Sequence, residues 1–363
     1  MVATVINSFV GDATKAKGRR KKGGPHVVAR SLIKAVFAEK TEPKVLKKKK
    51  HYLKPPNIIQ YEMDCAIQSK CDNKEVIYYR DDKGIDMTYP GGSEIRCLSD
   101  LEIVTENKDT TNFNVILGHS KENPDAKTFV VLKVSEQQTA VQYQPMMNNH
   151  RVFLKKLLDT MPNVNRGEVR CGVTRRYVCF GLRKNPLDRQ LGEYAFKQGV
   201  SDADKETIKK GIRDLVKVVE KCSMIELRRA GLVGDGHAGF VNVQSRFRMP
   251  SINPGGVATQ LALAQGYCSP VHVDDDVFYS SLSCYDSENQ KKTDKGKKRK
   301  TVYHFCFPTY GLAIPMKSGD IILFNPLVPH CTTNPRVETA LIYSLYVSSK
   351  TCNTHVANLE DKE

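Results

Sequence analysis

The sequence predicts an α+β fold: a C-terminal antiparallel jelly-roll over residues 231–355, a mixed helical and strand region over 57–230, and a largely disordered basic tail over 1–56. Three observations predict it. After Gly231 about eight short strand-like runs follow one another, and Pro308, Pro315, Gly319, Pro326 and Pro335 punctuate them, as in a sandwich or barrel rather than a parallel sheet. Before Gly231, runs of helical spacing alternate with strand-like runs. The first 56 residues hold 15 Lys/Arg against 3 Asp/Glu and few apolar groups, too little to bury a core.

The elements follow in chain order. Lys15 to Lys22 is highly charged and leads into Gly23-Gly24-Pro25, while 27–39 has helical spacing. A second basic run, Lys47 to Lys50, precedes Pro55-Pro56, which ends any helix. Strands are expected at 76–79 and 129–134, and a turn at Pro90-Gly91-Gly92. Residues 151–161 read as an amphipathic helix and 177–182 as a buried strand. Residues 201–230 give the clearest helix. Ser201 is its N-cap, acids fill its first turn, and Ile208, Ile212, Leu215, Val219 and Cys222 form one stripe. The jelly-roll strands are expected at 257–264, 267–273, 277–285, 301–307, 311–315, 320–325, 328–332 and 339–349. The Lys-rich stretch 290–300 falls between two of them and requires a solvated loop.

Composition narrows the class. The net charge of the 363 residues is +16; the tail contributes +12 and residues 286–300 contribute +4, so the folded body is close to neutral. A basic tail and loop suit a nucleic-acid partner or a nuclear import signal, without identifying a catalytic substrate. Eleven cysteines with no C-x-x-C spacing argue against a zinc ribbon or a disulfide framework and suit a reducing intracellular compartment. The acid-poor start leaves an organelle transit peptide open. No apolar run reaches about 18 residues, so no membrane partner is expected.

The chemistry-bearing pattern is Ser269-Pro270-Val271-His272-Val273-Asp274. Side chains two apart on a strand share a face, so an imidazole and a carboxylate form a two-toothed clamp. His330, after the Gly319-Asp320 turn and Ile321-Ile322-Leu323-Phe324, supplies a third ligand. Two His and one carboxylate leave three adjacent positions open, as iron(II) needs for a cosubstrate and dioxygen.

On these residues the stretch 255–350 resembles the iron(II)/2-oxoglutarate dioxygenase superfamily, including its algal members. In motif order it is also similar to the dioxygenases that oxidise thymine and 5-methylcytosine. The resemblance implies a double-stranded β-helix, 2-oxoglutarate as cosubstrate, and succinate and carbon dioxide as products. It implies His272, Asp274 and His330 as metal ligands and catalytic residues. A dicarboxylate needs a cation and hydroxyl donors. The family places that cation ten or more residues past the distal His; here the nearest is Arg336, six past His330. Arg336 is the expected anchor, with Tyr267, Tyr279 and Tyr303 as hydroxyl donors, and a loop ion pair to Glu338 is its alternative.

Other features read as structural. Gly234 to Gly239 is a turn, His304 a packed strand residue, Tyr177 to Phe180 equally a buried strand or a base-stacking platform, and Cys331 points away from His330. The function expected is oxidation of a C–H bond in an organic substrate, with a nucleic-acid base among the substrate classes left open. The alternative is a non-enzymatic, capsid-like jelly-roll whose basic arm binds nucleic acid. That fold has no need of three ligands in order.

Overall fold

In the computed structural model the described residues are 57–62, 69–70, 73, 75–104, 113–120, 123–134, 150–164, 176–185, 190–229, 249–277, 280–286 and 300–360. The tail up to residue 56, the Gly234 turn, Tyr279 and all but Lys300 of the 290–300 loop lie outside them. The first half of the chain supplies β1 (Asn57–Glu62), β2 (Ile77–Arg80), β3 (Glu94–Cys97), β4 (Glu102–Ile103), β5 (Phe113–Ser120) and β6 (Asn123–Val134). Helix α1 (150–160), β7 (Arg176–Lys184), β8 (Leu191–Glu193) and α2 (Asp202–Arg229) follow. Then come β9 (Gln260–Gln265), β10 (Ser269–His272), β11 (Ser280–Tyr285) and β12 (Thr301–Phe307). The last elements are β13 (Leu312–Lys317), β14 (Ile321–Phe324), β15 (His330–Thr332), β16 (Leu341–Tyr346) and α3 (Ser349–Glu360).

The eight strands β9–β16 are shared between two mainly antiparallel sheets, a jelly-roll-like arrangement. The larger runs β1-β5-β6-β14-β11-β16-β9-β7-β8 and the smaller β10-β15-β12-β13-β4. Their alternation is written in the side chains. Leu341, Tyr343 and Leu345 pack outward, with the helices, while Ile342 packs between the sheets. Leu154 and Leu157 of α1 and Ile208, Ile212 and Leu215 of α2 cover the outer face of the larger sheet. Tyr303, Phe305, Phe307, Ile314 and Phe324 fill the space between the sheets.

Local signals explain the boundaries. Ser201 caps α2, its Oγ accepting the Asp204 N–H at 3.1 Å. Gly319 has φ 83°, a left-handed value that excludes most residues. Asp320 closes that turn by accepting the Lys317 N–H at 3.0 Å. Gly211 of α2 lies against Phe153 of α1, where an added Cβ would stand 2.3 Å from the ring.

The expected boundary near residue 230 does not separate two layers. β6 pairs with β14 and β7 with β9, so strands from 57–230 extend the same sheet on both sides. Open sheet edges invite further pairing, and the upstream strands take them up. The segment 75–104 packs on the outer face of the smaller sheet, where Ile77, Tyr79, Leu98 and Leu101 meet Val271, Cys306 and Cys331.

Candidate metal centre

β10 and β15 lie antiparallel with His272 directly opposite His330. The pair is stitched by hydroxyls: Ser269 N–H donates to Thr332 Oγ1 at 3.1 Å and Thr332 N–H to Ser269 Oγ at 2.9 Å. Asp274 follows β10 on a loop whose backbone N–H donates to Pro326 O at 2.9 Å. The strands and this loop bring one ligand atom each from His272, Asp274 and His330 within 4.8 Å of one another.

The hydrogen bonds define the chemistry of those atoms. His272 Nδ1 lies 2.7 Å from Pro270 O, and His330 Nδ1 lies 2.8 Å from Val328 O. A carbonyl only accepts, so each Nδ1 carries a proton, and the atom left to a neutral ring as a lone-pair donor is Nε2. His272 Nε2 faces Asp274 Oδ1 at 3.6 Å and His330 Nε2 faces Asp274 Oδ2 at 3.4 Å. Lone pairs facing lone pairs repel unless a cation lies between them. Adjacent donors on one octahedral ion, each about 2.1 Å from it, stand about 3 Å apart, a few tenths of an ångström closer than these. The donor set therefore fits one divalent ion.

Burial gives the site a direction. The His330 side chain is 3% exposed, against 27% for His272 and 41% for Asp274. The rings of Phe305 and Phe324 stand 5.5 and 4.8 Å from the His330 ring and wall off the inner side. The side of the cluster nearest solvent is that of Asp274.

The three consecutive acids have separate partners. Asp275 accepts the Ser349 hydroxyl at the start of α3, and its carbonyl accepts the Ser349 N–H at 3.0 Å. Asp276 is buried and accepts the Ser280 hydroxyl at 2.5 Å. Asp274 alone turns to the imidazoles.

Arg336, the expected anchor, is elsewhere. Its Nε donates to Asp81 Oδ2 at 2.7 Å, and His304 Nδ1 lies 3.2 Å from that same oxygen. His304 alternates with Tyr303 and Phe305 and shares the parity of Cys306, so it points to the outer face of the smaller sheet, away from His330. Neither the metal face nor Glu338 is the Arg336 partner found here. Burial raises the Asp81 carboxyl pKa, but the bonds from His304, Arg336 and the Lys83 N–H outweigh it and hold the group well below the usual carboxylate range. Asn334 ties in the same segment, accepting the Asp81 N–H at 2.7 Å and donating to Asp81 O and Ile85 O.

Tyr303 is buried between the sheets, but its hydroxyl donates to Ala340 O at 3.4 Å and accepts the Tyr267 N–H at 3.3 Å, so its proton is taken within the fold. The half-buried Tyr267 packs near Tyr177, ring centroids 6.2 Å apart. Cys331 points into the outer cluster, as alternation requires. Sequence reasoning missed Asp81, Asn334 and Ser349, because no local spacing connects residues up to 255 positions from their partners.

No family model and no curated protein matches this sequence. Solved structures are similar in shape. NgTET1 in complex with 5mC DNA has a TM-score of 0.40 and 9% identity, over 92% of this chain and 99% of that one. A prolyl hydroxylase from Trichoplax adhaerens, in complex with a hypoxia inducible factor oxygen degradation domain peptide fragment, has 0.32 and 11%, over 58% and 81%. A Pseudomonas putida prolyl-4-hydroxylase has 0.30 and 10%, over 60% and 92%. These are iron(II)/2-oxoglutarate oxygenases with a double-stranded β-helix, and the likeness is one of fold alone.

Proposed function

We propose that this chain is a non-haem iron(II) oxygenase that uses 2-oxoglutarate and dioxygen to oxidise a C–H bond of an organic substrate, on a double-stranded β-helix formed by β9–β16. The observation that carries the reading is the convergence of His272, Asp274 and His330 with both Nδ1 protons held by backbone carbonyls. When bound, iron would supply dioxygen activation at the three positions this ligand set leaves open.

The chain's own residues do the rest. Pro270 O and Val328 O orient the two imidazoles and fix Nδ1 as a protonated nitrogen, which leaves Nε2 to a metal. Phe305 and Phe324 keep water from the inner side of His330. The loop bearing Asp274 is held by Pro326 on one side and by Ser349 on the other, so the carboxylate stays placed while its outer side remains open.

Anaerobic addition of iron(II) and 2-oxoglutarate tests this. The expected result is a weak visible charge-transfer band that Asp274→Ala and His330→Ala both lose. If the wild-type protein takes up no metal, the imidazoles carry Nε2 protons toward Asp274 instead, and the oxygenase reading fails.

Within this reading a nucleic-acid base is a substrate class that the basic residues of 1–56 and 290–300 would serve by following phosphates. Deleting residues 1–56 should then sharply reduce salt-sensitive retention on an oligonucleotide column. Unaltered retention would assign the tail another role.

A further inference from the structure

We infer that Asn325 is a positioning residue of the metal centre, closing a single turn whose carbonyls hold two of the three ligands. β14 belongs to the larger sheet and β15 to the smaller, so the stretch from Asn325 to Pro329 carries the chain from one sheet to the other. Two carbonyls of this connection meet ligand residues. Pro326 O accepts the Asp274 N–H at 2.9 Å, and Val328 O accepts from His330 Nδ1 at 2.8 Å. Asp274 needs such a hold, because β10 ends at His272 and the carboxylate lies on the loop after it.

The turn has two backbone donors, and Asn325 accepts both. Pro326 and Pro329 carry no N–H. The Leu327 N–H donates to Asn325 Oδ1 at 3.1 Å, and the Val328 N–H donates to Asn325 O at 3.2 Å. A side-chain oxygen accepting from two residues on is the bond that Asn and Asp make in turns, and proline suits the position after it. The two prolines fix φ at 326 and 329, and Pro329 biases Val328 toward extended backbone. What remains to be fixed is the step from Pro326 to Leu327, and the Oδ1 bond spans it. Asn325 is 6% exposed, and Pro326 and Val328 are buried, so water is a poor substitute for Oδ1.

A connection between sheets needs only length. This one also gives the Asp274 backbone and the His330 ring a common support, although the two ligands come from different parts of the chain. His272 is held separately, by Pro270 O within its own strand. A looser turn therefore shifts the carboxylate and one imidazole relative to the other imidazole, and a metal ion responds to that relative placement. Groups behind the ligands commonly govern metal affinity by about 10–100-fold. Asn325 acts through Pro326 and Val328 and is not itself a ligand. The assignment rests on the reading of His272, Asp274 and His330 as a metal site.

Two readouts on the full chain test it. One is calorimetric titration with manganese(II) alone. The other is the downfield ring N–H signal of His330 in proton NMR of the metal-free protein, assigned by its loss in His330→Gln. Asn325→Ala should weaken manganese(II) binding about tenfold or more and shift or broaden the His330 signal. Asn325→Asp keeps an oxygen for the Leu327 N–H and should restore both. Pro326→Gly removes no hydrogen bond but frees φ, and should weaken manganese(II) in the same direction. A merely structural residue would lower stability and leave both readouts of the folded variant as in wild type. The inference is overturned if folded Asn325→Ala behaves that way, or if Asn325→Asp restores neither readout. Where Asn325→Ala does not fold, Pro326→Gly decides, and wild-type values for both readouts overturn the inference. Wild type that takes up no manganese(II) removes the metal reading itself. Equal binding by wild type and Asn325→Ala removes only the role of Asn325.

Discussion

Arg336 Nε lies 2.7 Å from Asp81 Oδ2, an ion pair between residues 255 apart in sequence. It pins the 75–104 segment to the outer face of the smaller sheet and takes the arginine away from the metal side. The Asp81 side chain is only 4% exposed, so the pair is partly desolvated and its two halves are not equivalent. Asp81→Ala leaves Arg336 and His304 without their acceptor and should cost about 3 kcal/mol in chemical unfolding, the scale for breaking a buried pair. Arg336→Ala, at the more exposed end, should cost less, and the double variant less than the sum. Metal uptake should survive all three.

The same pair sets an acid limit. The Asp81 carboxyl is depressed in the folded state, so the unfolded chain binds more protons once pH drops below the ordinary carboxylate range. Its stabilisation is present above about pH 4 and lost as pH falls through the folded value. Asp81→Asn should flatten stability against pH below pH 4 and leave the slope from pH 5 to 8 unchanged. An unchanged acid limb would rule out this role.

His150 titrates in a higher window. It is 2% exposed, neither ring nitrogen has a hydrogen-bond partner among the described residues, and burial pulls its pKa down to about 4, with Asp214 opposing. The folded state resists protonation, so its contribution is full above the unfolded value near 6.5 and declines below it. About 2 kcal/mol should be lost between pH 7 and pH 5. His150→Leu should remove that loss, as denaturant titrations at the two pH values would read.

Gly211 opposes helix propensity to packing. Alanine in mid-helix is favoured over glycine by about 1 kcal/mol. Here its Cβ would meet the Phe153 ring at 2.3 Å, so α1 must shift. Gly211→Ala should lower stability by about 1–2 kcal/mol net. A stabilised variant would mean that Phe153 turns aside freely.

Metal should couple to folding through the three ligands. A ligand at about 100 times its dissociation constant stabilises by about 2.7 kcal/mol. Iron(II) added without air should raise the unfolding temperature of the wild type, a chelator should reverse it, and Asp274→Ala should show no rise.

The eight strands β9–β16 and the long helix were legible because period two and period 3.6 are local properties. The run Leu341 to Tyr346 alternates whatever it packs against, and Ser201 caps its own helix. His272 and Asp274 were legible as a clamp because they are two residues apart, although β10 ends at His272 and Asp274 lies on the loop after it. Asp275 and Asp276 look alike in sequence, and only Ser349 and Ser280 distinguish them from Asp274.

By itself the sequence determined the strand periodicity, the caps and turns, and the chemical type of the three ligands. Tertiary structure decided that His330 faces His272 and that Arg336 serves Asp81. The reason is physical: backbone dihedrals and side-chain alternation act over a few residues, whereas ion pairs and ligand sets depend on which distant strands become neighbours.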